Sequence, residues 1–260
     1  MNPALLNPEL ATFSRILVLV ALTIYVIAFL VLATSLSNRA RATQKDQTAA
    51  ALKVENIGLI LAGLATVVHF AGVLTRGIAA NRVPWANMYE FSISGAFVVS
   101  AIYLLALFFK DIRFIATFVI GFVVLVIGSA NTLFYVQVES LMPALQDYWL
   151  VIHVSVAILG TAFFTIAAAV AALLIAKSGK SKSKLLKVFP DVEKLEKLSY
   201  QFNVIGFILW TFTLIAGAIW ADKAWHRFWG WDTKEVWTFI IWTIYAAYLH
   251  ATTTRGWEGK

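Results

Sequence analysis

Not one of the 260 residues is cysteine. A disulfide framework, a thiolate metal site and a cysteine nucleophile in this chain are thereby excluded. Charge is also scarce: Asp, Glu, Lys and Arg make up 13%, against about 25% in an ordinary soluble domain. Hydrophobic residues fill 60% of the chain and the mean hydropathy is +0.79. That balance describes an all-α integral membrane protein packed against lipid and its own helices. The N-terminus lacks the basic region and small-residue cleavage site of a signal peptide, so the first apolar run is expected to stay as an anchor. No internal repeat and no second domain boundary is visible, and residues 1–260 read as one polytopic membrane domain.

A helix needs ~20 mostly apolar residues to cross ~30 Å of hydrocarbon. Seven runs come close: Ile16–Leu36, Ile57–Leu74, Phe91–Phe109, Phe114–Tyr135, Trp149–Ala176, Phe202–Trp220 and Val236–Thr254. Between the fifth and sixth lies a basic polar connector, residues 177–198. Its second half is expected to form a short surface helix, with Leu185, Leu186, Val188, Leu195 and Leu198 available for an apolar face.

Lysine and arginine concentrate on the cytoplasmic side of membrane proteins. Alternate loops here hold 15 and 6 of the 21 basic residues. The richer set comprises Arg39 to Lys53, Lys110 and Arg113, the connector, and the tail from Arg255 to Lys260. The poorer set is Arg15, Arg76, Arg82, Lys223, Arg227 and Lys234. The expected topology is N-terminus outside and C-terminus cytoplasmic. The formal net charge of +7 is mostly this asymmetry, and no nucleic acid is implied.

The poorer set includes the segment 220–237, "WADKAWHRFWGWDTKEVW". An interfacial aromatic belt explains part of it. Asp232 and Glu235 fit a capping box for the last helix, Asp232 as cap and Glu235 at the third helical position. "PWANMYEF" offers the same pattern with Asn87 and Glu90. Belt and cap leave the density unexplained: Trp220, Trp225, Trp229, Trp231, Trp237 and Trp242 are six of ten tryptophans. An aromatic shelf suits a large, flat, apolar ligand.

Four histidines bear on that ligand. His153 begins the fifth span, level with the tryptophan segment, and His226 lies within the segment. His250 falls ~20 Å below the outer surface and His69 ~18 Å above the inner one, at 1.5 Å per residue. Each has a bland reading as a packed, hydrogen-bonded core histidine. Together with the shelf they suggest haem, whose iron accepts axial imidazole.

"WHRFWGWDTKEVWTFIIWTIYAAYLH" resembles the tryptophan-rich WWD signature of the haem-handling proteins of cytochrome c maturation. Its "WDxKExW" and "YLH" elements are similar to the CcsA branch, also called ResC, or CcsB in some bacteria. "RVPWANMYEF" resembles that branch's P-x-x-N-x-Y-E segment through Pro84, Asn87, Tyr89 and Glu90. "LMPALQDYWLVIHV" resembles its outer-histidine segment through Pro143, Ala144, Leu145, Trp149 and His153. The likeness runs from about Leu74 to Gly256.

The resemblance implies a system II cytochrome c biogenesis protein that moves haem b across the membrane. At the outer face it would present haem to the Cys-x-x-Cys-His motif of an apocytochrome c, as part of a holocytochrome c synthase (haem lyase) with a ResB/CcsB-type partner. By the resemblance, His153 is an outer axial ligand and His250 a ligand within the membrane. Trp225, Trp229, Trp231 and Asp232 belong to the haem shelf, flanked by Trp220 and Trp237. His69 and His226 are further metal candidates without an assigned role. The bacterial cell membrane is the expected location, with the thylakoid membrane as the alternative.

His226 and Thr233 stand where the family pattern has glycine and proline. The pattern also continues into another span and a second outer histidine. Either the chain is truncated before that eighth helix, or another residue or subunit supplies the ligand. Two other functions stay open: a non-catalytic haem chaperone of the CcmC type, and a quinone or small-molecule transporter whose aromatic segment is an interfacial gate.

Overall fold

Along the first apolar run the buried residues are Ala11, Ser14, Val18, Ala21, Tyr25, Ala28, Leu32 and Ser35. Their spacing alternates between three and four, the 3.5-residue period that keeps one seam facing a partner helix. The computed structural model describes residues 6–42, 45–142, 145–179 and 183–254. It places this seam on α1 (Pro8–Arg41), packed along α2 (Lys45–Ala80) as a long antiparallel hairpin. Asn7 caps α1, its side chain accepting from Leu10 N–H at 2.9 Å, and Pro8 occupies the first turn, where no donor is needed.

Small residues let the two backbones approach. A Cβ added to Gly72 would lie 2.8 Å from Val18 Cγ2. Ser14 donates to the Gly72 carbonyl at 2.7 Å and Ser35 to the Ala51 carbonyl at 2.6 Å. Within lipid no hydrophobic force drives helices together, so close packing and such interhelical bonds hold the pair. Tyr25 extends the contact to a third helix, with its hydroxyl 2.9 Å from Thr66 and 2.8 Å from Ser100.

The remaining helices are α3 (Met88–Ala106), α4 (Ala116–Leu133), α5 (Tyr148–Ser178), α6 (Val192–Trp225) and α7 (Thr233–Thr253). α4 packs on α1 and α3, α3 also meets α2 and α5, α5 pairs with α6, and α7 rests on α6. The described residues are helical with short connections and contain no strand. Residues such as Ile60, Leu64, Val67 and Leu125, apolar yet largely exposed, form the lipid-facing surface of a multi-pass membrane protein.

Six helices, not the expected seven, are long and apolar enough to cross a membrane among the described residues. α7 is the exception. Its 21 residues are long enough, but Lys234, Glu235 and repeated Thr, Trp and Tyr lower its apolarity, and none of its residues is buried. The connector also departs from expectation. Leu185–Val188 form a single 3-10 turn, while Leu195 and Leu198 are buried in the first turns of α6. The expected surface helix is therefore continuous with the sixth span, because those leucines find a tertiary surface to cover. Pro143 and Ala144 of the matched motif, and Lys180, Lys182, Arg255 and Lys260 of the basic set, lie outside the described residues.

Candidate functional site at the tryptophan end

Helix alternation brings the start of α5, the end of α6 and the start of α7 to one end of the bundle. Asp147 caps α5 by accepting from Trp149 N–H at 2.7 Å. Less than two turns later His153 faces α6. Its Nδ1 lies 2.9 Å from the Thr213 backbone carbonyl. A carbonyl only accepts, so Nδ1 carries the proton and Nε2 keeps its lone pair. Such a bond is how a ligating histidine is held in one tautomer. Gly217 makes room for the ring, because a Cβ there would sit 2.8 Å from His153 Cε1. Trp220 stacks beside it, with centroids 6.3 Å apart and planes 13° from parallel.

Eleven of the 18 residues of the tryptophan segment are helical, six at the end of α6 and five at the start of α7. α6 continues to Trp225, so Trp220 and Trp225 project from it and their rings meet edge to face at 6.4 Å. His226 ends the helix in the left-handed conformation, at φ 55°. Glycine is the residue that most readily takes this conformation at a helix end, and here histidine takes it. His226 itself is exposed.

The connection from His226 to Asp232 holds a second aromatic group. Trp229 and Trp231 meet at 5.8 Å and 88°. Extended backbone would have put these alternate residues on one face. Trp231 instead adopts φ 59°, which breaks the alternation and turns the rings perpendicular. Trp229 also meets Phe239 of α7, which stacks on Trp242 at 6.1 Å. The structure thus divides the expected shelf into two clusters, one around His153 and one on α7. Trp237 is 60% exposed and joins neither ring cluster among the described residues.

The capping box is present. Asp232 accepts from Glu235 N–H at 2.9 Å, and Glu235 Oε2 accepts from Asp232 N–H at 3.3 Å. Glu235 does more than cap: it accepts from Gly230 N–H at 2.7 Å and from Arg227 Nη1 at 3.2 Å. The Arg227 guanidinium lies where a Cβ on Gly230 would be, so a larger residue there would push that side chain away from Glu235. One carboxylate therefore ties together both ends of the connection, a role the local capping pattern did not reveal.

Asn87 likewise caps α3, accepting from Glu90 N–H at 2.9 Å. Glu90 does not return the bond to Asn87. It is fully buried and accepts from Ala86 N–H at 3.0 Å, from Arg76 Nε at 3.0 Å and from Arg82 Nη1 at 2.6 Å. The two arginines also donate to the Val136, Gln137 and Glu139 carbonyls of the α4–α5 connection. Capping alone is thus too small an account of both acids. The sequence signal available was two arginines and an acid within 15 residues at one membrane end.

The other histidines are apart. His250 is exposed near the far end of α7, ~26 Å along the axis from Thr233. α7 is held to α6 by Trp210 Nε1 donating to the Thr238 carbonyl at 3.1 Å and Trp242 Nε1 donating to Thr211 Oγ1 at 2.9 Å. His69 is fully buried in α2, edge-on to Tyr25 and Phe97 at 5.9 Å. Neither of its nitrogens has a hydrogen-bond partner; the Ile93 carbonyl lies toward the ring but outside bonding geometry. α2 packs against α1 and α3, and α7 against α6, so the fold does not bring His69 and His250 together. No group of three or more His, Cys, Asp or Glu side chains suited to a metal ion occurs among the described residues.

Residues 85–260 match the family model described as cytochrome C assembly protein. The chain is 31% identical over 241 residues to the cytochrome c biogenesis protein CcsA of Trieres chinensis, covering 80% of this chain and 77% of that one. It is 35% identical over 211 residues to CcsA of Guillardia theta, covering 72% and 69%. The match to CcsA of Prochlorococcus marinus is 40% over 149 residues and spans about half of each protein, 47%. In fold the chain is similar to a solved structure of the cytochrome c haem lyase CcmF, with a TM-score of 0.67 at 16% identity, over 94% of this chain and 43% of that one. Matched along most of its length by a family model and by relatives of one name, the chain belongs to the CcsA family of cytochrome c assembly proteins.

Proposed function

We propose that this protein receives haem within the membrane and presents it at the tryptophan end for covalent attachment to an apocytochrome c. The observation that carries the reading is the His153–Thr213 bond, which leaves Nε2 unprotonated and beside an aromatic wall. An imidazole fixed in that tautomer is suited to haem iron. The tryptophans supply flat apolar faces, and Trp220 Nε1 is buried without a partner. Haem is cargo here. In the attachment itself each cysteine thiol adds across a haem vinyl group: the S–C bond forms, the C=C bond becomes single, and the thiol proton goes to the other vinyl carbon. No net oxidation or reduction accompanies that addition.

The reading includes an outside N-terminus, α7 as a seventh span, a ResB/CcsB-type partner and the bacterial cell membrane. The exposed face of α7, with His250 on it, supports a partner there, since an ionisable side chain facing lipid is costly. Purification in detergent followed by visible spectroscopy, with and without dithionite, tests it. Haem bands are expected, reduced in His153→Gly and restored by imidazole. A colourless wild-type protein would favour the transporter alternative. Haem bands with no cytochrome assembly when the partner is present would favour a carrier of the CcmC type.

A further inference from the structure

At the opposite end of the bundle lies a cleft of about 480 Å³, between the overhanging ends of α1 and α2, the α3–α4 turn and the start of α6. α3 is 19 residues long, ~28 Å, close to the ~30 Å of a bilayer's hydrocarbon. Its final turn therefore reaches the membrane–water boundary. There Phe108 and Phe109, 84% and 76% exposed, are the two most exposed large apolar side chains among the described residues. Phenylalanines projecting at that depth face acyl chains rather than water.

The same cleft is lined by Arg39, Glu55, Lys110, Asp111, Arg113 and Lys194. Arg39 is paired with Glu55 at 2.6 Å. Asp111, Lys110 and Lys194 have no ion pair among the described residues, and Arg113 reaches only Asn56 Oδ1, at 3.3 Å. Three cations thus face one acid across an open cleft at the lipid boundary. Basic pockets between membrane helices take anionic lipid headgroups. We propose that this cleft seats the phosphate of an anionic phospholipid, its acyl chains passing Phe108 and Phe109. The site is separate from the tryptophan end and does not depend on haem.

Binding of short-chain phosphatidylglycerol to the delipidated full chain tests this, beside phosphatidylcholine of equal chain length and inorganic phosphate. Phosphatidylglycerol is expected to bind, phosphatidylcholine weakly, and phosphate not to compete at equal concentration. The triple variant Lys110→Gln, Arg113→Gln, Lys194→Gln should weaken binding by about fivefold per cation removed. The triple Lys184→Gln, Lys187→Gln, Lys197→Gln removes the same charge from the connector and should leave binding near wild type. Lys110→Arg with Lys194→Arg should retain it, which keeps the test usable if the glutamine variant folds poorly. Equal loss in both glutamine triples overturns the site in favour of diffuse surface charge. Equal binding of phosphatidylcholine, or competition by phosphate alone at equal concentration, overturns the lipid assignment.

Discussion

His153 on α5 and Thr213 on α6 are joined by a 2.9 Å bond from Nδ1 to a backbone carbonyl, over the gap left by Gly217. The acceptor is main chain, so no side-chain substitution at Thr213 removes it. The ring's place depends instead on the missing side chain at Gly217. Gly217→Ala would set a Cβ 2.8 Å from His153 Cε1 and 2.9 Å from Nδ1. The ring must move and the tautomer lock loosens. Alanine also favours helix over glycine by about 1 kcal/mol. Gly217→Ala is therefore expected to leave thermal stability unchanged or raised while lowering bound haem per chain. Unchanged haem content would show that His153 does not need this position.

His69 carries the opposite expectation. It is fully buried, and both nitrogens lack partners. An unpaired buried polar group costs about 1–3 kcal/mol. His69→Leu removes that cost at similar volume and is expected to keep or raise the melting temperature, with haem content unchanged. Loss of haem in this variant would make His69 a ligand.

For His250 the expectation is a folded chain with altered haem. It is exposed on α7, none of whose residues is buried. His250→Ala should leave the melting temperature within about 1 °C, as surface substitutions generally change stability little. Haem retained in the membrane should fall, measured by the reduced spectrum at matched protein levels. A normal spectrum would leave His250 a surface histidine with no ligand role.

Much of the architecture was legible because it is local. Apolar runs located the helices, and the spacing of Asp232 and Glu235 was enough for the capping box. What escaped was tertiary. Arg227 and Gly230 meet Glu235 only once the connection folds back, and Glu90 finds Arg76 and Arg82 on another helix and its following turn. Trp229 and Trp231 do not share one face, since alternation assumes extended backbone and Trp231 is left-handed. Helical depth already set His69 and His250 roughly 8 Å apart in height, but height carries no lateral information, and it is the packing order that separates them sideways.

The buried Glu90 cluster makes a stability prediction. Arg76 and Glu90 are both fully inaccessible, and Arg82 is 6% exposed. Removing one partner of a buried ion pair costs about 3–5 kcal/mol, because the other charge is left uncompensated. Glu90→Gln leaves two arginines facing each other, and should lower the melting temperature and yield sharply. Arg82→Gln leaves Arg76 paired with Glu90 and should cost less. Equal melting temperatures for wild type and Glu90→Gln would remove the cluster from any structural role.

The connection between α6 and α7 allows charge and capping to be separated. Asn caps as well as Asp, so Asp232→Asn keeps the bond to Glu235 N–H. The charge itself serves Asp232 only through its ion pair with Arg227 at 3.9 Å, both partners being about half exposed. Exposed pairs of that kind contribute little. Asp232→Ala removes the cap, about 1 kcal/mol, enough to disturb the angle at which α7 leaves the connection. Glu235→Gln weakens bonds to Arg227, Gly230 and Asp232 together. The expected order of bound haem and holocytochrome yield is wild type, then Asp232→Asn, then Asp232→Ala, with Glu235→Gln lowest. Trp231→Phe should lie above Trp231→Ala, because a ring at this 73% exposed position keeps part of the apolar surface. If Asp232→Asn is as damaged as Asp232→Ala, the carboxylate charge acts on the haem itself and capping is incidental. If Glu235→Gln matches wild type, the network merely decorates a connection that the tryptophan contacts with α7 already hold.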